Sequence, residues 1–129
     1  MNNPDPVALI YKTINDDEPF YKLVEQFYAG VENDQILRPL YPKDLAEPKR
    51  NLALFLIQRT GGHGTYSQER GHPRMRARHM PFPIGTKEKD AWMNNMKAAL
   101  DSVPELSKHK ETLTEFFENF ATFLINKNE

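Results

Sequence analysis

The 129 residues amount to one domain, long enough to bury a single core. Charged residues are 27% and the net charge is -1, so no overall basic field argues for nucleic acid or an anionic membrane. The chain has no cysteine, which excludes a disulfide scaffold, a thiolate-held zinc or iron–sulfur centre and a cysteine nucleophile. Met1–Pro6 has neither the basic nor the apolar region of a signal peptide, and no apolar run approaches the roughly 20 residues of a membrane span. The expectation is a cytoplasmic protein. Val7, Ile10, Tyr11 and Ile14 then form a short helical stripe that ends in the polar Asn15-Asp16-Asp17. From 18 to 33, Phe20, Leu23, Val24, Phe27, Tyr28 and Val31 recur at helical period, and Pro19 sits where a first turn tolerates proline. Ile36 to Pro42 is a proline-bounded corner. Pro48 opens a helix that carries Leu52, Phe55, Leu56 and Arg59 on one face and stops at Gly61-Gly62.

Residues 61 to 86 hold five of the six glycines, three of the four histidines and four arginines. They read as a long loop interrupted by one short helix, about Arg74 to Met80. Loops of that length in a compact domain are usually functional. Helical spacing resumes over 87 to 103 with Trp92, Met96, Ala99, Leu100 and Val103. It returns in a last helix, about 105 to 126, through Leu113, Phe116, Phe117, Phe120, Ala121, Leu124 and Ile125. Nothing alternates at the period of a strand. The class is all-α, with four substantial helices and shorter ancillary ones.

Chemistry is concentrated in few places. Phe20 and Phe27 read as core, whereas a buried phenol needs a partner for its hydroxyl, so Tyr28 and Tyr41 are candidates for a polar pocket. His109 stands among Lys108, Lys110 and Glu111 and reads as solvated; His63 lies at a glycine-rich loop tip; His72 suits a turn. His79 closes the run Arg74-Met75-Arg76-Ala77-Arg78 and precedes Met80-Pro81-Phe82-Pro83. No second His, Asp or Glu stands at chelating spacing around it. It is therefore either structural or the ligand of a metal that a macrocycle holds. Arg70, Arg74, Arg76 and Arg78 read as a solvated face, as a local nucleic-acid patch, or as an anchor for an anionic ligand. Heme carries two propionates, so the anchor reading and the macrocycle reading support each other. No phosphate-binding glycine loop, serine elbow or EF-hand pattern is present.

The strings Phe27-Tyr28, Leu37-Arg38-Pro39-Leu40-Tyr41-Pro42, Leu54-Phe55-Leu56 followed by Gly61-Gly62, Arg70-Gly71-His72-Pro73 through Arg78-His79-Met80-Pro81-Phe82, and Asp90-Ala91-Trp92 carry a resemblance. In order and spacing, from about residue 20 to residue 100, the chain resembles the group II truncated hemoglobins. The resemblance implies a truncated globin, a two-over-two helical sandwich around a b-type heme. It implies one domain over 1–129, with 1–16 as an N-terminal extension or additional first helix and 17–127 as the heme-binding core. His79 aligns with the proximal ligand of the iron. Tyr28, Tyr41 and Trp92 align with the polar distal residues, and Leu52 with the apolar residue facing the ligand. Pro48 aligns with the position where other globins carry a distal histidine. Leu52, Phe55, Arg74, Arg76, Arg78, Phe82, Trp92 and Met96 are the implied heme contacts, the arginines at the propionates.

The implied function is reversible binding of O2 and other small ligands (NO, CO, peroxide), as in oxygen binding or oxygen transport. The alternative is a heme-dependent redox enzyme, a weak peroxidase or a nitric-oxide or reactive-nitrogen detoxifier. A donor-rich pocket favours it, because such a pocket holds O2 too tightly for delivery. A third class is a helical domain that uses its arginines on nucleic acid and takes no heme. The implied partners are diatomic ligands and a reductase for the iron, with no nucleic acid and no membrane, the chain being a monomer or homodimer. The chain departs from its relatives at Asn15-Asp16-Asp17-Glu18, where many carry Gly-Gly, and at Gly61-Gly62-His63-Gly64, where Gly-Gly-Pro is commoner.

Overall fold

In the computed structural model, which describes residues 5–127, every regular element is helical. Met1–Pro4, part of the stretch read as leaderless, lie outside the described residues. A 3-10 turn at Val7–Leu9 leads into α1 (Ile10–Ile14), and burial of Val7 and Ile10 pins this extension to the core. Asn15 closes α1 in the left-handed region, φ 52 and ψ 38. Asparagine tolerates that region better than most residues, so the corner forms without a glycine pair. Asp17 then ties the corner together. Its carboxylate accepts from the Tyr11 hydroxyl at 2.8 Å and pairs with His63 at 2.9 Å.

There follow α2 (Glu18–Glu32), α3 (Ala46–Arg59), α4 (Thr65–Arg70), α5 (Met75–His79), α6 (Thr86–Asp101), α7 (Pro104–Ser107) and α8 (Lys110–Phe123). α2 buries the whole stripe read from its sequence, from Phe20 to Val31. It packs on α3 and on α6, and α6 packs on α8, so the long helices form two pairs around one core. Gly30, inside α2, permits the approach of α6: a Cβ there would lie 2.1 Å from Asn95 Oδ1. Asn95 in turn donates to Asp34 at 2.8 Å. Gly61, at φ 101, lets the end of α3 meet the N-terminal turn, where a Cβ would lie 2.1 Å from the Ala8 carbonyl. The Tyr11 N–H donates to the Thr60 carbonyl at 2.9 Å beside it.

Three boundaries differ from the sequence reading. α3 starts at Ala46, so Pro48 falls inside its first turn; the first N–H groups of a helix have no intrahelical partner, and proline is tolerated there. The stretch 61–86 holds two short helices rather than one, because α4 buries a single apolar side chain, Tyr66, too few to show a period. The last helix is split. Val103 is extended (φ -119, ψ 98), Pro104 starts the one-turn α7, and α8 ends at Phe123.

Candidate functional site

One cavity of about 270 Å³, open in part to solvent, gathers side chains from most of these elements. α2 contributes Tyr28, the corner after it Leu40 and Tyr41, and α3 Pro48, Asn51, Leu52 and Phe55. α5 and the loop beyond it bring Arg78, His79 and Phe82, and α6 brings Trp92. Three sequence-derived candidates stand outside this lining. Met96 is fully buried within the helix core, Arg74 is exposed, and Arg76 turns toward the end of the chain.

α5 buries none of its residues fully, and only the half-buried Met75 packs on the core. Hydrogen bonds do most to fix its position. His79 Nδ1 meets the Met75 carbonyl, one turn back, at 2.6 Å. A carbonyl can only accept, so Nδ1 carries the proton, and in the neutral imidazole Nε2 keeps a bare lone pair. A backbone carbonyl that fixes tautomer and ring orientation is the usual support of a metal-ligating histidine. The segment after α5 is held by residues near the C-terminus. Asn126 Nδ2 donates to the His79 carbonyl at 3.2 Å and to the Phe82 carbonyl at 2.9 Å, and its Oδ1 accepts from the Ile84 N–H at 2.9 Å. Arg76 donates to the carbonyls of Phe123 and Ile125 at 2.7 and 2.8 Å. On the other side, Arg78 Nε donates to the Pro73 carbonyl at 2.6 Å and Nη2 to the Arg70 carbonyl at 2.9 Å. Arg78 thus staples the loop that precedes α5, which takes up two of its nitrogens.

Tyr41 is placed by Arg38, whose guanidinium donates to the carbonyls of Tyr41, Pro42 and Lys43 at 3.3, 3.0 and 3.0 Å. The rings of Tyr28 and Tyr41 meet edge to face with centroids 5.4 Å apart. The Tyr41 phenol is paired with the Trp92 indole and with the Tyr28 hydroxyl. Indole N–H can only donate, so Trp92 is the donor of its pair, while each phenol can donate or accept. Burial pushes the Tyr41 phenol up to about 12, with the bonds from Trp92 and Tyr28 pulling it back. Burial, reinforced by Tyr41, pushes the Tyr28 phenol higher still. Both stay protonated at neutral pH, and so both stay donors. Arg70, also in the cavity wall, keeps a buried Nε without a partner, while its Nη1 lies 3.5 Å from Glu47.

The family model for bacterial-like globins matches residues 9–126. The group 2 truncated hemoglobin YjbI of Bacillus subtilis (strain 168) is 40% identical over 113 residues, 88% of this chain and 86% of that protein. The chain belongs to the group II truncated hemoglobins. Solved structures agree with this truncated hemoglobin in fold. The hemoglobin of the thermophilic phototroph Chloroflexus aurantiacus superposes with a TM-score of 0.85 at 42% identity, covering 92% of this chain and 98% of that one. The truncated oxygen-avid haemoglobin of Bacillus subtilis gives 0.84 at 39%, covering 92% and 99%.

Membership implies a heme, and this truncated hemoglobin has the residues for one. The cavity is largely aromatic and aliphatic, one histidine holds a free lone pair, and a buried guanidinium nitrogen lacks an acceptor. Among the described residues no group of three or more His, Cys, Asp or Glu could hold a metal ion. No helix among them is long and apolar enough to cross a membrane. Sequence reasoning passed over Asn126, Tyr66 and the role of Arg38. Arg38 left a signal, a charge inside the apolar run Ile36 to Tyr41; Asn126 left none, since it follows the last periodic residue.

Proposed function

We propose that His79 is the sole protein ligand of a noncovalently held heme b, and that the protein binds O2 and related small ligands beside Tyr41. With no cysteine, thioether attachment is excluded. When bound, the heme supplies an iron with a coordination position open to a diatomic ligand. The observation that carries the reading is His79, its Nδ1 on the Met75 carbonyl, in one cavity with Tyr28, Tyr41 and Trp92. His79 keeps its Nε2 lone pair aimed by that bond. Tyr41 donates to the ligand, and Trp92 and Tyr28 orient its hydroxyl and polarise it. Pro48 offers no N–H, and Leu52 and Phe55 keep that side of the cavity apolar. Arg70 takes a propionate with the Nε that has no other partner, and residues 17–127 form the heme-binding core. The Bacillus subtilis relative is described as oxygen-avid, and this donor set supports the same behaviour here.

The test is spectroscopic. Purified holoprotein should have a Soret band, and His79→Gly should lose heme or keep it only with added imidazole. Normal heme retention in that variant, with His63 and His72 intact, would move the ligand elsewhere. The donor cluster also favours a second reading, a heme-dependent peroxidase or nitric-oxide detoxifier, because the Tyr41 hydroxyl can equally polarise a peroxide. Slow O2 release with peroxide turnover would select the enzyme; fast release without turnover would select the carrier.

A further inference from the structure

Binding O2 requires reduced iron, so an electron donor has to reach this site, and the surface around α5 has a definite chemical character. From Arg70 to Lys87 the chain carries five Lys and Arg residues and no Asp or Glu. That leaves twelve basic against eighteen acidic residues in the rest of the chain. Charge is segregated although the net is -1, and a segregated field orients an approaching charged partner. Arg70 and Arg78 line the cavity and belong to it. Arg74 and Arg76 do not: both are exposed, and neither enters an ion pair among the described residues. Beside Arg76 is bare apolar surface. Met80 is 55% exposed and Phe123 57%. Arg76 joins the two, one turn before Met80 in the chain and with its guanidinium 5.9 Å from the Phe123 ring centre. An apolar centre with a basic rim marks a protein-docking face. This one adjoins the cavity wall formed by His79 and Phe82.

We propose that this face docks an acidic one-electron carrier protein, which returns oxidised heme iron to its ferrous form. One electron passes from carrier to iron; no bond forms or breaks. The inference rests on the heme reading, and a chain that took up no heme would fail that reading in its absorption spectrum before any docking was measured.

The probe is reduced flavodoxin, an acidic FMN protein, mixed with ferric holoprotein in a stopped-flow instrument. Its second-order rate should fall as salt rises toward physiological strength. Arg74→Glu combined with Arg76→Glu should lower the low-salt rate at least about tenfold and flatten the salt dependence. Lys12→Glu with Lys22→Glu, the same charge change on exposed residues of α1 and α2, should leave the rate within about twofold. Reduced lumiflavin, a small reductant with no protein face to dock, should react with all three proteins within about twofold. Since Arg76 also holds the C-terminal segment, Arg74→Glu alone, at a side chain that makes no hydrogen bond among the described residues, should still slow flavodoxin about threefold or more. Equal flavodoxin rates in both charge-reversed proteins would overturn the proposal. So would an equal loss with lumiflavin, which would place the effect in the heme. Binding of anionic vesicles or single-stranded RNA at the same ionic strength, lost in the Arg74/Arg76 variant, would give the face to polyanions instead and likewise overturn it.

Discussion

In the proposed reading the ligand chemistry converges on Tyr41, which is paired with Trp92 and Tyr28 and has a hydroxyl to offer a third group. Tyr41→Phe should remove one charge-assisted hydrogen bond, about 1.5–3 kcal/mol, and so speed O2 dissociation about ten- to hundred-fold. Trp92→Phe and Tyr28→Phe act through Tyr41, so on a Tyr41→Phe background each should change the off-rate by less than about twofold. Rapid-mixing kinetics on the ferrous proteins decides this; full additivity would mean that Trp92 and Tyr28 reach the ligand separately. The arginines separate in a similar way. Arg70→Ala should speed heme loss to an apo-globin acceptor, somewhat more at low ionic strength, because it removes the proposed propionate pairing of a partly buried guanidinium. Arg78→Ala should speed it too, but with little salt dependence, because its Nε and Nη2 hold backbone carbonyls. Both arginines stand in one sequence run, and no pattern in that run tells a ligand anchor from a loop staple. The phenols were legible as polar-pocket candidates from burial alone; their pairing with each other and with Trp92 was not, since that depends on how α2, the 38–41 corner and α6 meet.

At the scale of the element, the corner between α1 and α2 depends on Asp17. Partial burial opposes its ionisation, but the bonds from His63 and Tyr11 outweigh it and hold the carboxyl below its ordinary range. A depressed carboxyl contributes stability above the ordinary carboxylate value, about 4, and the contribution is lost as the pH falls through the folded value. The group is partly exposed, so the effect is at most about 1 kcal/mol. Asp17→Asn should lower the melting temperature by a few degrees at pH 7, and the gap to the parent should close below about pH 4. A constant gap across that range would remove the charge from the explanation. The proximal end depends on Asn126. Asn126→Ala gives up three side-chain hydrogen bonds to the 79–84 segment, each about 0.5–1.5 kcal/mol, and heme loss should quicken several-fold. Unchanged heme loss would mean that Arg76 and the backbone N–H groups of Asn126 and Lys127 on the Ile84 carbonyl are enough to hold the segment. The long helices were readable because their cores repeat at 3.6 residues, as Phe20 to Val31 do. α4 and the Asn126 clasp were not, because one rests on a single buried tyrosine and the other on backbone carbonyls that any sequence presents.

Across the whole molecule, stability and function are carried by different parts. α2 buries seven residues and α6 five, whereas α5, which carries His79, buries none, and α4 buries one. Segments with few buried apolar contacts open at low free energy, while the packed core opens only with the global transition. A prosthetic group that binds the native state alone adds RT ln(1 + [L]/Kd), about 4 kcal/mol at a thousandfold excess over Kd. That energy acts first where the ligand touches weakly held structure. Hydrogen exchange of apo and holo forms should therefore differ by region. Amides of Gly71 to Ile84 should exchange quickly in the apo protein and be slowed at least about tenfold by heme, while the inner amides of α2 and α6 should already be protected without it. Global melting should also rise on heme uptake, and by much less in His79→Gly. Equal protection of 71–84 in both forms would mean that the hydrogen bonds of Arg76, Arg78 and Asn126 are enough to order the proximal side, and that heme binds to a site already rigid.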